Sequence, residues 1–516
     1  MSDISANNKR IAKNTLFLYV RMFVSLILGL YTSRIVIDAL GVSDYGIYNL
    51  VGGFITVLAF LNTGMAQSSQ RYLSYELGKG DSKRLNDVFC MSVNTHAVIT
   101  LIIILLSETI GVWFVNYQLN IPDDRMLAAN VVFQCSIFTF AMNIMSVPYN
   151  ASIIAHEKMS IYAYMGILDV VLKLLTVYVL LIISFDKLII YSVLIALVAF
   201  ILRLCYLVYC KRNFEECTYH MGGDKNLFKE MFSFAGWSVV GNLGFTMKDQ
   251  MANVILNWFC GTALNAARGI GLHVGNLVTA FSGNITAALN PQITKQYAMG
   301  NIGESQNLVY AGSKYAFYLL TLVSIPVIIN IDYLLELWLK TVPKYTSEFL
   351  VLSLIVALFY ALANTVTVAI QATGNMKIFQ LGICVLMLLE VPAVYIILEM
   401  GCPPYVIMYP SLVTGLVAVL FRFFLIKKYV PTYSYKYYLL HVLFRCFGIF
   451  IVSYYSCVLV RSLFDVNLFG LFVSALISVL LILLIIYLFG ISKREREFVK
   501  SRILSKIAFV KHLHKG

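Results

Sequence analysis

The feature that most constrains this chain is a series of apolar blocks each longer than about 18 residues, the length a helix needs to cross a bilayer. The stretch from Leu471 to Phe489 is one of them. Inside hydrocarbon a backbone must satisfy its own hydrogen bonds, which leaves helices or a closed barrel. Barrel strands would alternate in polarity over about 10 residues. The blocks here show no alternation, so they are read as helices. Of the 516 residues, 60% are hydrophobic and 13% charged. Ordinary soluble domains hold about 25% charged residues, so a soluble globule, a disordered chain and a coiled coil are all excluded.

About fourteen spans are predicted. Twelve fall in two sets of six, near 11–37, 45–66, 88–114, 126–147, 160–184 and 187–210, then 228–257, 262–289, 312–331, 346–371, 376–399 and 403–427. A last pair lies near 439–461 and 467–490. The expected organisation is an N-terminal six-helix lobe (1–211), a second six-helix lobe (212–430), two additional helices (431–490) and a basic amphipathic tail (491–516). A faint repeat supports the pairing of lobes. Gly41 and Gly80 recur as Gly261 and Gly300, both offset by 220 positions. Six spans per repeat is an even number, so the two lobes would point the same way, a plan found among transporters with the substrate between the halves.

Orientation follows from Lys and Arg in the loops. One side carries Lys9, Arg10, Lys13, Arg71, Lys79, Lys83, Arg84, Lys211, Arg212, Lys295, Lys427 and Lys428, and the tail is basic as well. The other side holds few, among them Arg125, Lys187 and Lys344. Both termini are therefore expected in the cytoplasm. The net charge of +13 is assigned to anionic lipid beside the spans, not to nucleic acid. Ten cysteines lie mostly within apolar blocks without a Cys-x-x-Cys pair, so neither a disulfide framework nor a zinc site is expected. His96 and His273 lack metal-ligand partners at useful spacing, and no cofactor is expected. The N-terminus reads as an uncleaved first span, since no small-residue cleavage site follows it.

Charges within the spans carry the functional information, because each costs at least about 2.5–3.5 kcal/mol at mid-bilayer and must face a cavity, a partner or the interface. They are Arg21, Arg34, Asp169, Lys173, Arg203, Lys248, Asp249, Arg268 and Glu390. Asp169 and Lys173 are four apart and share a helix face. Arg203 lies near its helix end and is expected to snorkel. Arg21 is about 15 Å deep at 1.5 Å per residue, where a water-filled cavity is expected. The seventh and eighth spans are the most polar. Six basic residues against three acids predict a cationic cavity suited to an anionic substrate such as phosphate. Gly269, Gly271 and Gly275 follow no strand, so they read as close helix packing and not a nucleotide loop.

The stretch Leu264-Asn265-Ala266-Ala267-Arg268-Gly269-Ile270, with Ala288-Leu289-Asn290-Pro291-Gln292-Ile293 and Gly41-Val42-Ser43-Asp44-Tyr45-Gly46, resembles the Wzx-type oligosaccharide flippases of the superfamily that includes MATE exporters and the lipid II flippase. The resemblance implies an all-α membrane protein of two six-helix lobes around a central cavity. It also implies a polyprenyl-diphosphate-linked oligosaccharide as substrate, bacterial surface-polysaccharide assembly at the inner membrane, membrane lipids as surroundings and polysaccharide polymerase machinery as a further partner. Alternating access would then place Arg21, Arg34, Lys248 and Arg268 on the diphosphate, with Asp249, Asn265, Asp169, Lys173 and Glu390 on a coupling or polar pathway for Na⁺ or H⁺. With the interior negative, export of each negative charge gains about 2.3 kcal/mol per 100 mV. Competing readings are a lipid II flippase, a MATE-type drug or cation antiporter, and a membrane-embedded polymerase acting through Asp123 and Asp124. Alanine at both Asp123 and Asp124 separates the last from the rest: a polymerase loses all glycan-chain growth in a membrane assay, whereas a transporter keeps its translocation rate.

Overall fold

A computed structural model describes residues 2–497, apart from 58, 118, 120, 184, 221–224, 261, 339–341 and 492–494; side chains before Lys13 and several in 30–63 and 257–266, Arg34 and Asn265 among them, lie outside the described set. Every regular element among the described residues is helical. The helices are α1 (Ser2–Val57), α2 (Ala59–Lys79), α3 (Ser82–Tyr117), α4 (Asp123–Ala155), α5 (Met159–Ile182), α6 (Lys187–Asn213), α7 (Lys225–Cys260) and α8 (Thr262–Ala298). There follow α9 (Ile302–Ile329), α10 (Ile331–Trp338), α11 (Thr346–Thr373), α12 (Met376–Glu399), α13 (Pro404–Tyr429), α14 (Tyr435–Arg461) and α15 (Leu468–Gly490).

Ten of these helices are long and apolar enough to cross a membrane among the described residues. The helices α7 and α8, with their load of Asn, Lys, Asp and Arg, are outside that ten, as are α1 and α2. The first two expected spans meet within α1, which is two helices joined by a kink at Gly41, where φ is +77°. Only glycine takes that conformation without a Cβ clash. The tail expected to form an amphipathic helix lies outside the described residues from 498 onward.

Local chemistry sets the helix starts. Asp81 caps α3 by accepting from the Arg84 amide at 3.0 Å, and Asn467 caps α15 by accepting from the Gly470 amide at 2.6 Å. Asp186 caps α6, accepting from the amides of Leu188 and Ile189. Such caps satisfy donors that have no partner within the helix. Gly80 ends the second helix and Gly300 ends the eighth, with φ of +75° and +79°. The 220-residue repeat therefore recurs in backbone conformation as well as in residue type.

The chain divides into two compact units. The first comprises 1–247, 287–308 and 367–388, and the second 248–286, 309–366 and 389–516. Within the first, close backbone approach requires glycine. A Cβ on Gly64 would lie 2.6 Å from the Ala235 carbonyl oxygen, and one on Gly78 would lie 2.7 Å from that of Lys295. Within the second, a Cβ on Gly271 would come 2.9 Å from the Leu350 amide. Small residues that let helix backbones approach are a common device of membrane packing, as expected for Gly271.

Two corners of the first unit are alike. The α4–α5 corner turns through Glu157 at φ +59°, and the α11–α12 corner turns through Gly374 at φ +82°. The two lie 217 positions apart and read Ala155-His156-Glu157-Lys158-Met159 and Ala372-Thr373-Gly374-Asn375-Met376. A left-handed non-glycine residue costs about 1–2 kcal/mol, so Glu157 must be held by its surroundings. Its carboxylate is buried, accepts from Gln292 and pairs with Lys295 Nζ at 2.9 Å. Asn14 Nδ2 donates to its carbonyl oxygen at 3.1 Å.

The Gly-Val-Ser-Asp-Tyr-Gly stretch also finds a structural role in this unit. Asp44 pairs with Arg125, which bonds Asp186 at 2.6 Å. One guanidinium thus ties three segments together. Asp123 and Asp124 sit exposed on the turn just before it. Partial burial pushes the Asp186 carboxyl up, but hydrogen bonds from Arg125 and from the Ile189 and Leu188 amides outweigh it and hold the group below the usual carboxylate range. Its contribution to stability is therefore complete above the unfolded value of about 3.9 and is lost as pH falls through the lower folded value. Arg125→Ala is expected to cost about 1–2 kcal/mol at neutral pH, as part-exposed charge-assisted bonds do. Melting curves in detergent at pH 7 and pH 3 check this: the wild-type advantage must shrink at the acid end.

Candidate functional site

Charged residues buried within the second unit converge from four helices. Lys248 and Asp249 are consecutive on α7, so their side chains leave the helix about 100° apart and reach different partners. Lys248 Nζ lies 3.4 Å from Glu390 Oε2, with side-chain exposures of 9% and 3%. Asp249 turns to Arg268, one turn into α8, at 3.4 Å. Arg268 Nη1 also donates to Asn253, four residues after Asp249 on α7.

Glu390 lies past the middle of α12, next to Leu389, whose backbone stays in the right-handed helical region (φ −64°, ψ −19°). The carboxylate then accepts hydroxyl donors from Ser411 and Thr414, three residues apart on one face of α13. With Lys248, that gives this buried anion three partners, as a buried charge requires. Deeper on α13, Arg422 is fully buried and donates to the Ala418 carbonyl at 3.1 Å. Tyr360 of α11 stands in electrostatic contact with Lys248, Glu390 and Arg422.

A small cavity opens on this cluster, with Lys248, Asp249, Arg268, Glu390 and Ser411 in its wall and Val394 and Met408 as its apolar lining. Arg268 is the residue whose hydrogen bonding is incomplete there: its Nε is buried without a partner. Asp249 is half exposed, at 51%. Among the described residues no group of three His, Cys, Asp or Glu is placed to hold a metal ion.

The residues singled out in the sequence fare differently. Lys248, Asp249, Arg268 and Glu390 do come together. Their charges, however, pair as two cations with two carboxylates, so the cluster is zwitterionic. Arg21, Asp169 and Lys173 belong to the first unit. Asp169 and Lys173 form the expected pair at 2.8 Å. Arg21 stacks on Tyr162 at 4.3 Å, and its stem runs so close to Gly166 that a Cβ there would meet Arg21 Cδ at 2.6 Å. Its described surroundings thus include a cation–π contact. Arg203 lies over the Tyr149 ring at 4.3 Å, with Nη1 buried and without a hydrogen-bond partner. The side chains of Arg34 and Asn265 lie outside the described residues.

Sequence reasoning missed Arg422, Ser411, Thr414 and Tyr360. Arg422 was masked by Lys427 and Lys428 five and six positions on, which made it read as part of a helix end. The hydroxyls carry no sequence signal apart from their i, i+3 spacing.

No family model matches the chain, and no curated protein matches it. Solved structures do match in fold. An outward-facing multidrug resistance MATE family transporter of the MOP superfamily aligns with a TM-score of 0.69 at 13% identity, covering 82% of this chain and 97% of the other. A MATE structure in the bent conformation gives 0.69 at 14% identity, covering 83% and 97%. A MOP superfamily transporter from Pyrococcus furiosus, described as having a binding pocket of reverse polarity that suggests a different function, gives 0.67 at 13% identity, covering 82% and 96%. The chain therefore has the all-helical, multi-pass MATE-like transporter fold.

Removing one partner of the buried Lys248–Glu390 pair leaves an uncompensated charge, which costs about 3–5 kcal/mol. Lys248→Ala and Glu390→Ala should each lower the unfolding midpoint in detergent by that measure. A Lys248→Met/Glu390→Met double variant should recover most of the loss in a double-mutant cycle.

Proposed function

We propose that the chain is a flippase that moves a polyprenyl-diphosphate-linked oligosaccharide from the cytoplasmic to the outer leaflet by alternating access, for surface-polysaccharide assembly. The observation that carries this reading is Arg268, a buried guanidinium on a transporter fold with one donor left unpartnered at a cavity. Arg forms strong bidentate bonds to phosphate, and Lys248 in the same cavity wall adds positive potential. In this reading the lobes are 1–211 and 212–430, both termini are cytoplasmic, the membrane is the bacterial inner membrane, and no bond is made or broken in the substrate.

Binding would work by exchange. An incoming diphosphate takes the donors that Asp249 and Glu390 now occupy, and those carboxylates become available to H⁺ or Na⁺. The polyprenyl tail stays in lipid, so only the diphosphate and sugars need a polar path. A structural neighbour described as having reversed pocket polarity supports the idea that this fold accommodates more than one sign of substrate. A lipid II flippase would use the same chemistry. The half-exposed Asp249 favours a second reading, a cation antiporter, since a free carboxylate recognises cationic drugs.

The test is transport in reconstituted proteoliposomes. A labelled polyprenyl-diphosphate oligosaccharide is followed by its protection from an added glycan-cleaving enzyme, with and without a membrane potential. Arg268→Ala is expected to slow protein-dependent movement by at least about tenfold, the effect of losing one charge-assisted bond. Export of a cationic dye with no movement of the glycan lipid would instead establish the antiporter.

A further inference from the structure

The two left-handed corners of the first unit are each gripped by a polar side chain from the helix that follows the opposite repeat's first span. Gln292 and Lys295, near the end of α8, hold the Glu157 carboxylate at the α4–α5 corner. Arg71, near the end of α2, holds the α11–α12 corner: its Nε donates to the Gln371 carbonyl at 3.0 Å and its Nη2 to that of Ala372 at 2.9 Å. Both carbonyls lie at the end of α11, where a guanidinium is a suitable donor, and that of Gln371 also accepts from the Gly374 amide at 3.0 Å. The Arg71 guanidinium also lies where a Cβ on Gly374 would meet it at 3.1 Å, and it stacks on Tyr72 at 4.3 Å. Arg71 and Gln292 are 221 positions apart and Glu157 and Gly374 are 217 apart, so the two grips are counterparts under the internal repeat.

We infer that these grips form a reciprocal latch that shuts the cytoplasmic mouth of the transport path and must release in each cycle. The inference rests on the alternating-access reading above. If the lobes are 1–211 and 212–430, every one of these bonds joins one lobe to the other, so none of them survives an opening on that side. Asn14, which donates to the Glu157 carbonyl, adds the first helix to the same latch, and Gly78 brings α2 into backbone contact with α8 at Lys295. The apolar layer behind it consists of Leu18, Met159 and Ala288, all buried. The two halves of the latch differ in one respect. The Glu157 side depends on a buried ion pair and a strained backbone, whereas the Arg71 side grips backbone carbonyls beside a glycine that takes its conformation freely.

Accessibility of the layer behind the latch decides the question without any substrate. Ala288→Cys in the full chain is treated with a membrane-impermeant maleimide from the side of the termini, and labelling of the peptide holding residue 288 is read by mass spectrometry. Glu157→Gln, Lys295→Met and Glu157→Gly are each expected to speed labelling by about tenfold or more, the factor that loss of a charge-assisted bond supplies. Glu157→Gly is the informative variant, because it keeps the left-handed corner and removes only the carboxylate. The Glu157→Lys/Lys295→Glu exchange is expected to restore protection. Labelling unchanged in all three variants would overturn the latch. Raised labelling that the exchange fails to reverse would overturn it too, as general loosening. Failure of the oligosaccharide to move, with the labelling pattern as expected, would remove the proposed substrate and leave the latch standing.

Discussion

Hydrocarbon offers no hydrogen bonds, and this one property of the solvent governs the rest of the molecule. It forces the backbone into helices, whose internal bonding is complete except at the ends. It also makes any polar side chain inside the membrane expensive until it finds a partner. The caps at Asp81, Asp186 and Asn467, the hydroxyls on Glu390 and the carbonyls held by Arg71 all answer the same demand. Packing adds what polarity cannot. Since lipid tails are as apolar as leucine, helices gain by fitting closely, and Gly64, Gly78 and Gly271 provide the contact that larger residues would forbid.

The charged cluster of the second unit shows how such a site is built from modest parts. Two neighbours on α7 diverge because a helix turns 100° per residue. The helix α12 brings a carboxylate to a pair of hydroxyls on α13. The outcome is a set of cations and anions that satisfy one another almost completely, with one guanidinium nitrogen left over. A site of this kind is stable when empty, and a substrate enters by replacing bonds already made. Specificity then depends on which ligand offers a better set of acceptors than the protein's own carboxylates.

Much of the architecture was legible before any coordinates. The block lengths alone specify a helical membrane protein, and the expected spans correspond to helices down to the final pair. The kink at Gly41 was not legible, because a single glycine in φ-positive geometry looks like any other glycine in a sequence. The site was legible in part. Lys248, Asp249, Arg268 and Glu390 stood out because charge is rare in apolar surroundings. Their pairing did not, because it depends on helix rotation, which has no compositional signature. Arg422 hid beside a lysine pair. Glu157 was invisible as a special residue, since a corner that suits glycine can also be held by a well-bound carboxylate.

The glycine contacts and corner grips have a consequence for how far such a chain can drift. A lipid-facing position asks only for an apolar side chain, and most of each helix meets that condition with many residue types. Backbone-to-backbone contacts such as Gly78 against α8, and a handful of buried polar joints, ask for one residue each. A fold specified by so sparse a set of demands can be kept while nearly everything else is exchanged. That accounts for solved transporters that overlay more than four-fifths of this chain while sharing only 13–14% of its residues.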